Sequence, residues 1–348
     1  MKPNTTLNPT RAEAQAAGRL ALRIGWRWPA LFACVVAMGI APWWIGIANM
    51  RLCVELFALI AIAQMWNLLA GYVGIVAVGP QAFIGIGAYA LFWSSNHFAL
   101  NPYAVLPLAG LVAAATAIVF APLLFRLRGP YFAIGTWVLA EMFRIGVTNA
   151  DWLGAGAGIN LEMIGTMDRW TRSAAGYWCA LGVALLATGL LVALLRSPVG
   201  VALTAIRDDE SAAESLGVNV ERLKRMLFVC AAAIMGMAGG AVYVSVLQVN
   251  PDAVFSPNWA AFIIFAVIIG GLGTVEGPII GALLFFALRE TLSDYGAWYL
   301  ISLGGFAIVI MLAAPRGLWN LARNRFGWNF FDMRRKIAAD SIAVKVMR

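Results

Sequence analysis

Apolar runs of roughly 20 residues recur along almost the whole chain, and they constrain the fold more than any other feature. A helix of that length crosses the hydrocarbon core of a bilayer. The runs are continuous, which indicates helices and not alternating strands of about ten residues. Only 12% of the 348 residues are charged, whereas a soluble chain carries roughly 25%. The sequence therefore predicts an all-α membrane protein.

We expect a polytopic helical bundle of about ten transmembrane helices, occupying residues 29–314. A basic segment, 1–28, precedes them, and a basic tail, 315–348, follows them. The third, eighth and ninth spans are short or rich in glycine, which is typical of broken or re-entrant segments. The spans fall near 29–48, 52–70, 73–93, 103–125, 130–148, 175–195, 226–247, 259–273, 277–293 and 297–314.

The basic residues predict the orientation of the bundle. If the N-terminus is cytoplasmic, 20 Lys and Arg residues lie on the cytoplasmic side, and only Arg51, Arg169 and Arg172 lie outside. This positive-inside bias predicts that both termini are cytoplasmic, and it favours an even number of spans. It also explains the net charge of +8 without a nucleic-acid partner. Residues 149–174 then face outward, and their glycines predict a flexible contact surface.

The longest polar run between two spans is the coupling segment, residues 196–225, with five basic and five acidic residues. Ser197 is a good N-cap, Pro198 suits the first helical position, and Gly217 suits the end of a helix. Asn219 is a cap for the next helix. One face collects Leu203, Ile206, Ala213 and Leu216, and the other collects Arg207, Asp208, Asp209, Glu210 and Glu214. A short amphipathic cytoplasmic helix is therefore predicted, either as a docking element for a partner groove or as a solvated connector.

Two glycine-rich stretches lie at membrane depth. Residues 71–89 hold five glycines together with Pro80 and Gln81, and residues 270–281 repeat the pattern of glycines followed by a Gly-Pro step. Irregular backbone at this depth lines a cavity or is buried in protein, so the stretch indicates either a substrate pathway or close helix packing. The weak similarity between the stretches hints at an internal repeat of two five-span halves.

A few charged residues fall within the spans. Glu141 and Arg144 are three residues apart and are predicted to pair, while Glu55 lies early in the second span. Arg289 and Glu290 lie near the end of the ninth. Ionisable groups at membrane depth indicate function, but a structural pair or side chains reaching to the interface explain them equally well.

The sequence holds no motif for several kinds of chemistry. It has no GxxxxGK[ST] phosphate loop, no HExxH and no GxSxG. Its four cysteines lie in apolar segments without a close-spaced pair, and His97 is the one histidine. We therefore expect neither an enzyme nor a metal or other cofactor bound by this chain.

Five blocks of sequence together resemble the LivM-type permease of branched-chain amino acid ABC importers. The resemblance covers about 52–320. Where that family often has His, this chain has Pro80, and Ala77-Val78 replaces Ser-Leu. The blocks are NLLAGYVGIVAVGPQAFIGIGAY (67–89), LRGPYFAIGTWVLAEMFR (127–144), SPVGVALTAIRDDESAAESLGVNVERLKRMLFV (197–229), GGLGTVEGPIIGALLF (270–285) and PRGLW (315–319).

The resemblance implies a permease subunit of the bacterial inner membrane that works by alternating access. Its partners would be a second homologous permease, two P-loop ATPases that bind ATP and Mg²⁺, an extracytoplasmic substrate-binding protein and membrane lipid. The coupling segment looks like that family's EAA loop. The residues expected to contact an ATPase are Arg207, Asp208, Asp209, Glu210, Ala213, Glu214 and Gly217. The residues expected in the pathway are Gly74, Gly79, Pro80, Gln81, Phe83, Gly85, Gly87 and Glu141.

Three alternatives stay open. One is the same machinery carrying urea, amides, aromatic acids or dicarboxylates, and sequence separates these substrates poorly. An ion-coupled secondary transporter is disfavoured because it needs no long amphipathic cytoplasmic helix and usually has acids in its pathway. A membrane enzyme is disfavoured because nucleophiles and metal ligands are missing.

Overall fold

A computed structural model describes residues 29, 32–162, 167–292, 298–314 and 317–326. The predicted N-terminal basic segment and most of the predicted C-terminal tail lie outside these residues. The chain divides into two compact units, Met1–Gly46 and Ile47–Arg348. In the described part of the first unit, one short apolar helix, α1, spans Phe32–Trp43.

The described residues of the second unit form helices and one pair of very short strands. α2 continues directly into a π-helical segment, Leu68–Val73. The strands β1 (Ile159–Asn160) and β2 (Gln248–Val249) pair antiparallel, with Ile159 opposite Val249. The helices are α2 (Ile47–Asn67), α3 (Gln81–Phe98), α4 (Pro102–Leu124), α5 (Pro130–Thr148), α6 (Arg169–Arg196), α7 (Pro198–Asp208), α8 (Glu210–Ser215), α9 (Val220–Val246), α10 (Pro251–Val254), α11 (Asn258–Gly270), α12 (Glu276–Leu292), α13 (Trp298–Ala313) and α14 (Leu318–Phe326).

α2 and α9 form the centre of this unit. Both are apolar around most of their circumference and are largely buried, and α9 packs against α2, α3, α4 and α6. Small residues allow the helices to approach closely. A Cβ atom at Gly87 of α3 would collide with the backbone of Gly236 in α9, and one at Gly236 would lie 2.9 Å from the carbonyl oxygen of Ala109 in α4. Lipid is itself apolar, so close packing of this kind, and not the hydrophobic effect, holds helices together in a membrane.

The outward faces of the outer helices are apolar, as lipid contact requires. On α4, Leu111, Ile118 and Val119 are all more than half exposed. In the part of the chain that the structure describes, six segments are long and apolar enough to cross a membrane: Ile47–Val73, Pro102–Leu124, Arg169–Arg196, Val220–Val246, Pro251–Gly270 and Gly304–Arg323. The predicted all-α membrane class is thus confirmed, while the count of about ten spans is not.

The chain alternates between two ends of the bundle. One end, here called the strand end, holds β1 and β2 and the adjoining ends of α5 and α9. α6, with 28 residues, is about 42 Å long and leads from there to the opposite, α7–α8 end. The loop predicted as a flexible surface is attached at the strand end, because Leu161 N–H donates to Leu247 O at 3.0 Å and Asn96 Nδ2 donates to Asn160 O at 2.7 Å.

Candidate functional site

The coupling segment forms two helices, α7 and α8, and not the single helix that its sequence predicts. The break lies at Asp209, whose backbone is extended (φ −157°, ψ 110°). Its carboxylate accepts the N–H groups of Ser211 and Ala212, at 2.9 and 3.1 Å. Asp209 thereby caps a new helix instead of continuing the old one. The predicted cap at Ser197 is confirmed, because its hydroxyl accepts Val199 N–H at 3.2 Å.

The apolar stripe of the coupling segment is buried within the chain. Leu203, Ile206 and Ala213 are at most 4% exposed, and the last two pack with Val220 at the start of α9. Leu216, predicted on the same stripe, is instead 81% exposed. Ala213 lies within α8, whereas Leu216 follows the last residue of that helix, Ser215. The stripe is therefore not an open docking face, and the surface left open is Leu216 with the acids around it.

Polar contacts attach this surface to α9. Lys224 Nζ lies 2.7 Å from Glu210 Oε2, and Asn219 caps α9 by accepting Arg222 N–H at 3.0 Å, as predicted. Gly217 has a left-handed backbone (φ +86°) with open space around it, which suits the chain reversal after α8. Of the seven residues expected to contact an ATPase, Ala213 is buried and the others are exposed: Arg207, Asp208, Asp209, Glu210, Glu214 and Gly217.

The first glycine-rich stretch breaks the helix between α2 and α3. Gly74 ends the π segment with a left-handed backbone (φ +82°) and is exposed. Trp66 Nε1 donates to Ala77 O at 2.7 Å, so the chain turns back beside α2. The irregular backbone that the glycines predict is therefore present over residues 74–80, and α3 is a continuous helix from Gln81 to Phe98.

The other predicted pathway residues of this stretch are buried. A Cβ atom at Gly79 would collide with the carbonyl of Thr136, and one at Gly85 would collide with the Phe255 ring. Phe83 packs edge-on against Phe228, with ring centroids 5.3 Å apart. These positions, like Pro80 and Gly87, provide close packing in this conformation. That is one of the two interpretations which the sequence left open, and pathway lining stays a prediction.

Gln81 differs from its neighbours, because its side chain is polar and fully buried. Neither its amide oxygen nor its amide nitrogen has a hydrogen-bond partner among the described residues. Burying an unpaired amide costs a few kcal/mol, so such a group in a native structure calls for an explanation.

Two amide side chains of α2, Gln64 and Asn67, bind the second glycine-rich stretch. Gln64 Nε2 donates to Val275 O at 2.7 Å, and Asn67 Nδ2 donates to Thr274 O at 2.8 Å. Asn67 Oδ1 also accepts Gly273 N–H at 2.8 Å. This set of contacts, here called the amide clamp, fixes the second stretch against the end of α2, where the first stretch begins. Sequence reasoning missed it, although two amides three residues apart within an apolar span were a usable signal.

The coupling segment approaches the amide clamp through Arg207. The Nη1 atom of Arg207 lies 3.5 Å from the carbonyl oxygen of Gly71, which belongs to the π segment and begins the first glycine-rich stretch. A Cβ atom at Gly273, in the second stretch, would lie 3.6 Å from the same nitrogen. Arg207 therefore brings the coupling segment next to both glycine-rich stretches.

Two groups of charged side chains lie at the strand end. Arg144 binds Glu141, as predicted, with Nε 2.9 Å from Oε1. It also reaches Asp252 in α10, with Nη1 2.7 Å from Oδ1. Arg289 of α12 pairs with Glu55 of α2 at 2.8 Å. The contacts of Arg144 with Asp252 and of Arg289 with Glu55 were not predicted, because each joins segments that are far apart in the sequence.

Among the residues described, no three His, Cys, Asp or Glu side chains come together as a metal site. The polar features are thus the exposed surface of α7–α8, the amide clamp, the buried Gln81 amide and the charged pairs at the strand end. These features provide exposed polar surfaces for binding and a core in which the helices are interrupted.

Comparison with known proteins identifies the family. Residues 46–315 match the family described as "Branched-chain amino acid transport system / permease component". The chain is 31% identical to the high-affinity branched-chain amino acid transport system permease protein LivM of Escherichia coli (strain K12), across 74% of this chain and 66% of that protein. It is 24% identical to the probable branched-chain amino acid transport permease protein LivM of Methanocaldococcus jannaschii, across 72% of this chain and 80% of the relative.

A shorter match, 29% identical, relates 42% of the chain to 47% of the permease protein LivH of Escherichia coli (strain K12). The match to the first LivM protein spans slightly less than two thirds of that relative's length. No solved structure matches the chain. With most of its length matched by the family, this chain belongs to the permease components of branched-chain amino acid transport systems.

Proposed function

We propose that this chain is the transmembrane permease subunit of an ATP-driven importer of branched-chain or related amino acids. It pairs with a second, homologous permease and moves its substrate by alternating access. The observation that carries this proposal is the family match over residues 46–315. The chain lies in a bacterial inner membrane with both termini in the cytoplasm, as the distribution of basic residues favours.

The exposed surface of α7–α8 is the docking site for an ATPase in this proposal. Leu216 supplies an apolar anchor, and the acids from Asp208 to Glu214 supply charge complementarity. Two P-loop ATPases bind ATP and Mg²⁺, and an extracytoplasmic binding protein meets the strand end. The buried packing of Ala213 against Val220 supports this role, because motion of a docked ATPase then reaches α9 directly.

The pathway begins to open, in this proposal, at the break between α2 and α3. The buried Gln81 amide is the polar group there, and rearrangement of the break would give it a water or substrate partner. Replacing Gly85 with Leu displaces the Phe255 ring and is expected to abolish uptake while the chain still inserts and assembles. Uptake at the wild-type rate would make this stretch peripheral to transport.

Co-purification and uptake test the proposal together. The tagged chain, extracted in mild detergent, is expected to recover a P-loop ATPase and a second hydrophobic permease. After reconstitution with the binding protein, ATP should drive uptake of radiolabelled leucine, isoleucine or valine. Urea, amides, aromatic acids and dicarboxylates form the comparison panel. Recovery of the chain alone, with uptake that continues without ATP, contradicts the proposal and favours a secondary transporter.

A further inference from the structure

A cavity of about 420 Å³ opens at the strand end, between α2, α9, α10, α11 and α12. Its volume lies within the range of roughly 300–1,000 Å³ that is typical of small-molecule sites. The proposed coupling and pathway residues do not line it. Its walls combine charged groups with aromatic and aliphatic side chains, which is the composition of a site that fixes a small ligand by a few polar groups.

The charged side chains that line the cavity are Glu55 and Arg289, which pair with each other, and Asp252, which pairs with Arg144. Arg289 Nη1 lies 2.8 Å from Glu55 Oε2, and the two side chains are 37% and 32% exposed, respectively. The Arg289 guanidinium also lies over the Phe286 ring, 5.6 Å from its centroid. A guanidinium has five N–H donors and a carboxylate has two acceptor oxygens, so each group has capacity beyond this single contact. A cation and an anion are thus held side by side at the cavity wall.

The apolar part of the cavity faces this pair. Leu59 and Phe285 are buried in the wall, and Phe262 packs on Phe285 with ring centroids 4.9 Å apart. Trp259 directs its indole N–H at Tyr243 Oη, 3.3 Å away, which satisfies that donor inside the protein. An aliphatic ligand side chain in contact with this wall would be removed from water without leaving a polar group unpaired.

We propose that this cavity binds the zwitterion of an apolar α-amino acid. Arg289 binds the α-carboxylate, Glu55 binds the α-ammonium group, and the Leu59–Phe262–Phe285 wall holds the aliphatic side chain. This inference deepens the proposed transport function and rests on it. It places a selective site within the permease itself, so that selection does not depend on a binding protein alone.

Ligands that lack one group at a time test each contact. The full chain, purified in detergent with its co-purifying subunits, is titrated with L-leucine, leucinamide (no carboxylate) and 4-methylpentanoate (no ammonium group). Calorimetry should show the tightest binding for leucine. Arg289→Gln is expected to weaken leucine binding by about tenfold or more while changing leucinamide binding little, because a charge-assisted contact is lost. Glu55→Gln should remove most of the preference for leucine over 4-methylpentanoate.

Two further variants distinguish the loss of a ligand contact from the loss of folding. Arg128→Gln removes an exposed cation in the connection between α4 and α5, and should leave all three affinities unchanged. Phe262→Trp keeps the ion pair but fills part of the cavity, and should weaken binding of leucine more than that of alanine. If Arg289→Gln and Glu55→Gln lower thermal stability but leave the ligand preferences intact, the pair only joins α2 to α12 and the proposal is wrong.

The transport function is tested separately. ATP-driven leucine uptake with an unchanged maximal rate and an unchanged KM in both variants overturns the cavity proposal and leaves the transport function standing. Absence of ATP-driven uptake by the wild type overturns the transport function, and the calorimetry still decides whether the cavity binds a zwitterion.

Discussion

Replacing Asn67 with Ala tests the amide clamp between the two glycine-rich stretches. Asn67 is fully buried and makes two hydrogen bonds of 2.8 Å, to Gly273 N–H and to Thr274 O. The Ala side chain leaves both backbone groups unpaired, at about 1–3 kcal/mol each. Gly273 is partly open to water, so its unpaired N–H group contributes less to this cost than the unpaired carbonyl of the buried Thr274. We therefore expect the free energy of unfolding to fall by about 2–4 kcal/mol.

Asn96 provides the matched control. It also bonds to the backbone of a distant segment, donating to Asn160 O at 2.7 Å and accepting Glu162 N–H at 3.3 Å, but these bonds are exposed. Water replaces them when the side chain is removed, so Asn96→Ala should cost about 1 kcal/mol or less. Unfolding in mixed micelles with increasing SDS, followed by tryptophan fluorescence, measures both variants. Equal losses, within about 0.5 kcal/mol, would refute the argument that burial makes the clamp important.

Two further predictions concern helix packing and ATPase docking. Gly87→Ala forces a Cβ atom onto the Gly236 backbone and should destabilise the protein by about 1–3 kcal/mol. Gly182→Ala meets open space and should be neutral or slightly stabilising. The same unfolding assay measures both variants, and equal effects would contradict the packing argument. Leu216→Ser should lower co-purification of the ATPase about tenfold, because burial of a leucine contributes roughly 1.5–3 kcal/mol. Leu321→Ser, at a leucine that is 55% exposed on α14, is the control, and equal recovery with both variants would remove Leu216 from the docking surface.

Local signals in the sequence predicted local features of the structure. The caps at Ser197 and Asn219 and the pairing of Glu141 with Arg144 are confirmed, because each depends on residues within four positions of one another. Helix ends were predicted less well. α6 begins at Arg169 and α9 at Val220, six residues before the predicted spans. Hydropathy marks only the apolar part of a helix, while its hydrogen bonds continue into the polar region until a cap ends them.

Sequence did not predict two kinds of feature. One is the choice among neighbouring residues that suit the same role, and the other is contact between residues that are far apart in the chain. Asp208, Asp209 and Glu210 all suit the first turn of a helix, and the pattern did not say that Asp209 would start a new one. The amide clamp joins positions more than 200 residues apart, and so does the pair of Glu55 with Arg289. A single sequence contains no information that selects such partners, beyond showing that polar groups in an apolar span need them. The side chains proposed to bind a ligand in the cavity could therefore be identified only from the folded structure.

The small strand pair has a mechanical consequence. β1 and β2 join residues 159–160 to residues 248–249, so the chain from α6 through α9 is closed at the strand end as well as at the α7–α8 end. Sliding β1 along β2 would shear the strand hydrogen bonds, whereas a rotation that moves both strands together leaves them intact. A displacement that begins at the α7–α8 end and leaves this pairing intact therefore moves the two strands together.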